Sequence, residues 1–104
     1  FEEFYKDSQV KIDDIAERIL TLQGKPLHTL TDYINNATVP VGNNISNDVE
    51  AVKLVVTSLA ELLKIEREIL EISDEANDEG TNSMMSDFIA EQEKTIWMMN
   101  AWLG

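Results

Sequence analysis

The chain has 104 residues, enough for one domain around a single core. Its 20 acidic residues outweigh 8 basic ones, and the formal net charge of −12 repels nucleic-acid phosphates and anionic membrane surfaces while it attracts cations. There is no cysteine, which excludes disulfides and thiolate metal sites, and no apolar run approaches the roughly 18 residues needed to span a bilayer.

From Phe1 to about Leu22, the residues Phe1, Phe4, Tyr5, Ile12, Ile15, Ala16, Ile19 and Leu22 recur at helical spacing and predict an amphipathic helix. The pattern is already under way at the first residue, with no initiating Met and no capping residue before it, so an upstream segment is expected. Gly24 followed by Pro26 predicts the stop, with Gly24 as the left-handed terminator. A short helix is expected over Thr29 to Asn36, capped by Thr29. The stretch from Asn36 to Asn47, with Pro40, Gly42 and several asparagines, reads as a surface connection.

A long helix follows, opened by Ser46 or Asn47 and carrying the stripe Val52, Val55, Val56, Leu59, Leu62, Leu63, Ile69 and Leu70. The pattern breaks near Asn77 to Gly80. A last helix then carries Met84, Met85, Phe88, Ile89, Ile96, Met99, Trp102 and Leu103 to Gly104, its methionines reading as core filler. Three substantial helices and one short one predict an all-α protein forming most of a helical bundle, with a partner helix still needed to close its apolar stripes.

The first helix has a second face. At about 100° per residue, Glu2, Val10, Asp13, Glu17 and Leu20 lie together, away from the main stripe. Asp13 and Glu17 are one turn apart and within reach of one hard or borderline cation, with Glu2 further back on the same side. Such pairs are also common on solvated helices, so the spacing alone leaves both readings open. The sequence has no Glu-x-x-His pair, the signature of a di-iron centre inside a bundle, and His28, its only histidine, lies in the connection after Pro26.

The segments FEEFY, KIDDIAERILTLQGKPLHTLTDYI and DEGTNSMMSDFIAEQEKTIWMMNAWLG resemble consecutive parts of the Dps family of bacterial mini-ferritins, and the resemblance covers essentially all 104 residues. It implies a single ferritin-like domain over residues 1–104. The fold would be a four-helix bundle with a short helix in the central connection, the first helix and part of the second lying outside this chain. It further implies a dodecameric, cytoplasmic, iron-oxidising and iron-storing shell without organic cofactor. Ferrous iron would be oxidised, preferentially by hydrogen peroxide, at a site between subunits. The family's Asp-x-x-x-Glu motif falls on Asp13 and Glu17, an additional acidic position on Glu2, and the site's histidines would lie upstream of Phe1.

The same resemblance places an iron entrance at the break before the last helix, where Asp74 and Glu79 match acidic pore positions. Ser83 replaces a deeper acid and Asp87 stands one turn on. Trp97 matches a position near the oxidation chemistry, although packing is the ordinary role for Trp97 and Trp102 alike. With no Lys-rich tail in these residues, direct DNA binding is expected to be weak or absent. A non-catalytic helical assembly or adaptor module is the alternative, its acids solvated and its apolar stripes docked on partner helices.

Overall fold

The computed structural model describes residues 2–39, 42, 45 and 47–104. Phe1 and Ser46, which the sequence reading placed in the first stripe and at a helix cap, lie outside the described residues. All regular structure among the described residues is helical: α1 Glu2–Thr21, α2 Leu30–Asn36, α3 Asp48–Glu75 and α4 Glu79–Leu103. The chain divides into two compact units, Phe1–Ala37 and Thr38–Gly104.

In the first unit, α1 ends one residue earlier than the glycine rule predicts. Gln23, not Gly24, adopts the left-handed conformation, with φ of 66°. Gly24 N–H donates to the Ile19 carbonyl at 2.8 Å and Gln23 N–H to the Leu20 carbonyl at 2.9 Å, the paired bonds of a Schellman ending. Gly24 is required for closeness instead: a Cβ there would stand 2.9 Å from Ile19 Cγ2 and 3.3 Å from the Ile19 carbonyl oxygen.

Helix α2 starts as the sequence predicts, with the Thr29 hydroxyl accepting from Asp32 N–H at 3.1 Å. The Tyr33 hydroxyl donates to the Leu27 carbonyl at 3.2 Å and so fastens α2 to the segment that leads into it. The apolar stripe of α1 remains largely open, since Tyr5, Ile12, Ile15 and Leu22 are exposed. Ile12, Ile15, Ala16 and Ile19 form an apolar groove with Pro26, Leu27 and Tyr33. The buried residue of α1 is Lys11, which pairs with Asp7 at 2.6 Å.

In the second unit, Asn47 caps α3 by accepting from Glu50 N–H at 2.8 Å. Thr38 donates to Glu61 Oε1 at 2.9 Å, which ties the connection to the middle of α3. Helices α3 and α4, joined by a tight turn, pack along one seam. The buried positions are Val52, Leu59, Leu63, Glu66 and Ser73 on α3 and Met85, Phe88 and Gln92 on α4, spaced by three, four or seven residues as a two-helix seam requires.

Leu59, at 2% exposure, is the most deeply buried side chain; truncating such a residue to Ala costs about 2–5 kcal/mol. Glu66, Ser73 and Gln92 interrupt this apolar row, which hydrophobic spacing could not reveal. Across the outer edge of the seam Arg67 pairs with Glu93 at 2.9 Å. Of the methionines, Met85 is core and Met98 is exposed; Trp97 and Trp102, expected to pack, are 68% and 58% exposed.

Candidate metal-binding carboxylates

Helix α1 runs unbroken through Asp13 and Glu17, so the two carboxylates project one turn apart, and both are exposed. Val10 and Leu20 flank them, 58% and 59% exposed. Apolar side chains of that size beside two acids make a surface suited to being covered, because burying them gains about 25 cal/mol per Å² while the acids find a cation or a donor.

Glu2 shares the side of α1 but does not reach the cation position of Asp13 and Glu17 within one chain. Eleven residues of continuous helix separate it from Asp13 by about 16 Å along the axis, far beyond one coordination sphere. Its carboxylate instead meets Lys6 Nζ at 3.4 Å, an exposed pair of little energetic weight. Among the described residues no three carboxylate or imidazole side chains converge to hold a metal ion. Asp13 and Glu17 offer two hard oxygen donors, a type suited to Fe²⁺ and better still to Fe³⁺, and no third donor among the described residues of this chain joins them. His28 is exposed in the connection between α1 and α2.

The second group lies where α3 passes into α4. Helix α3 closes with Asn77 in the left-handed conformation, φ of 57°, as Asp78 N–H donates to the Ser73 carbonyl at 2.8 Å and Asn77 N–H to the Asp74 carbonyl at 3.1 Å. Asp78 then caps α4: Oδ1 accepts from Thr81 N–H at 3.2 Å and Oδ2 from the Thr81 hydroxyl at 2.5 Å. One member of the acidic cluster is therefore committed to starting the helix.

Asp74 and Glu79 line a polar recess of about 50 Å³ with Ser73, Asn77, Asp78 and Asn82. A shallower groove shares Asp74 and Asn82 with Arg67, Leu70, Glu71 and Ser86. The structure therefore brings Asp74 and Glu79 to one recess. Asp87 is exposed further along α4 and is not among the residues lining it. Asn82, which no metal or catalytic pattern would single out, lines both hollows.

The whole chain, residues 1–104, matches the ferritin-like domain. It is 37% identical to the "DNA protection during starvation protein" of Porphyromonas gingivalis over 98% of this chain and 64% of that protein. It is also 37% identical to "General stress protein 20U" of Bacillus subtilis, over 100% of this chain and 72% of that one. Superposition on the Dps protein of Vibrio cholerae O1, described as a member of a superfamily of ferritin-like diiron-carboxylate proteins, gives a TM-score of 0.98 at 44% identity, covering 100% of this chain and 65% of that chain.

The chain thus spans less than two thirds of the length of the Porphyromonas and Vibrio relatives. No helix of the described residues is long and apolar enough to cross a membrane. An all-helical fold matched over its full length to Dps structures places the chain in the ferritin-like family, within its Dps group.

Proposed function

We propose that this chain is the greater part of an iron-oxidising and iron-storing mini-ferritin subunit, acting in the cytoplasm as one ferritin-like domain. Asp13 and Glu17 bind ferrous iron at a surface completed by a second subunit. Hydrogen peroxide is the preferred oxidant: each of two ferrous ions gives up one electron, and the peroxide takes both as its O–O bond breaks. The ferric product is laid down as mineral inside a dodecameric shell, which removes iron and peroxide together and so limits oxidative damage. Asp74 and Glu79, with Asp87 more distantly, draw ferrous ions inward, as carboxylate rings do in cation channels. A net charge of −12 favours this cation traffic and makes direct DNA binding weak.

The observation that carries the reading is the exposed acid pair Asp13 and Glu17 framed by the equally exposed Val10 and Leu20, in a chain of the Dps group. The alternative, a non-catalytic helical adaptor, accounts for the apolar exposure and gives the acid pair no task. Peroxide-driven oxidation of Fe²⁺ by the full chain, compared with the double substitution Asp13→Ala, Glu17→Ala, tests the proposal. A loss of at least about 10- to 100-fold is expected, since removing only the groups that support metal ligands already costs that much. Equal rates would take both residues out of the chemistry, and elution at the subunit mass would exclude the shell.

A further inference from the structure

The recess at the α3–α4 turn has a carboxylate on each helix, Asp74 on α3 and Glu79 on α4, and the two are joined through a turn whose pivot is the left-handed Asn77. Besides the backbone bonds of the turn, a side chain ties the two helices together here. Asn82 Nδ2 reaches back from the first turns of α4 and donates to the Leu70 carbonyl of α3 at 3.0 Å, with the Ser73 hydroxyl oxygen 3.4 Å away. The Ser73 hydroxyl in turn donates to the same Leu70 carbonyl at 3.0 Å, so its lone pairs face the Asn82 amide. Both atoms that Asn82 meets are therefore acceptors, which fixes the nitrogen, not the oxygen, of the amide towards α3. Ser73 is buried and Asn82 is partly so, and water competes poorly for this knot.

We propose that Asn82 is the positioning residue of the iron entrance: its bond to Leu70 holds the opening of α4 against the end of α3 and thereby sets the spacing at which Asp74 and Glu79 face a passing cation. This rests on the reading of the junction as an entrance. Asn82 itself touches no reacting atom. It lines both the 50 Å³ recess and the adjoining groove, so a change at this one residue alters the walls of both.

The test measures Fe²⁺ oxidation by the full chain with peroxide across a range of Fe²⁺ concentrations, separating the half-saturating concentration from the maximal rate. Asn82→Ala is expected to raise the half-saturating concentration about two- to tenfold, the factor associated with one net hydrogen bond, with the maximal rate unchanged. Asn82→Asp keeps the shape but turns an oxygen towards the Leu70 carbonyl, so it too raises the half-saturating concentration despite adding a negative charge. A lowered value for Asn82→Asp would mean that charge alone governs the entrance and would overturn the proposal. So would a fall in maximal rate without a change in half-saturation in Asn82→Ala, the signature of a merely structural role.

The control is Asp74→Asn with Glu79→Gln. If that double variant raises the half-saturating concentration while Asn82→Ala does not, the entrance stands and the positioning role of Asn82 falls. If neither variant shifts it, the entrance reading fails and this inference fails with it.

Discussion

Gly24 lies against Ile19 so closely that a single added methyl group would stand 2.9 Å from Ile19 Cγ2. Ile19 is β-branched and its carbonyl is engaged by Gly24 N–H, so neither neighbour yields easily. Gly24→Ala is expected to lower stability by about 1–2 kcal/mol, as overpacking does. The left-handed residue is Gln23, for which that conformation is strained, and Gln23→Gly is expected to raise stability by up to about 1 kcal/mol. Urea unfolding of the two variants gives opposite shifts if the Schellman ending is as described; the same sign for both would contradict it.

Asp78 satisfies two donors of Thr81 at the start of α4. Asp78→Ala should cost about 1–2 kcal/mol, whereas Asp78→Asn, which retains an acceptor, should cost less than half of that. Thermal unfolding of both variants separates a capping role from one of charge, for which the two losses would be equal.

The Arg67–Glu93 pair crosses from α3 to α4 at 2.9 Å, but both side chains are more than half exposed. Solvent screening limits its coupling to about 0.2–1 kcal/mol. A double-mutant cycle with Arg67→Met and Glu93→Gln should return a value in that range at low salt, decreasing as salt is raised. A coupling above about 2 kcal/mol would place the pair in a drier setting than its exposure indicates.

Gln92 buries Oε1 in the seam with no hydrogen-bond partner among the described residues. An unsatisfied buried acceptor carries its desolvation cost, about 1–3 kcal/mol, without return. Gln92→Met, close in volume and free of polar demand, is expected to raise the unfolding midpoint, with a gain of about 1 kcal/mol. A loss of stability would show that the amide is bonded in the folded protein.

Capping and turn chemistry made the helix boundaries legible in the sequence, because Thr29 and Asn47 act locally and are found in those roles. The rows of α3 and α4 were legible through Val52, Leu59, Leu63, Met85 and Phe88, whose spacing follows from helix geometry alone. Glu66 and Gln92 were not, since hydropathy places a charged or amide residue outside and only the packing of two helices puts it inside. The Gln23–Gly24 order was misread because glycine is the usual left-handed residue; here steric closeness to Ile19 is what requires it.

At the candidate sites, spacing alone put Asp13 and Glu17 on one face of α1, and the resemblance put Asp74 and Glu79 at one junction. Neither gave Asn82 its place. Its bonds join residues 12 and 9 positions apart, across a turn whose shape depends on Asn77 adopting a positive φ.

Both tryptophans of the chain stand exposed on α4. Five residues apart, the two indoles stand about 140° from each other around the helix, so each reports on a different side of α4. An apolar partner that covers either side removes water from that indole and shifts its emission to shorter wavelength, so α4 carries an optical gauge on two of its faces.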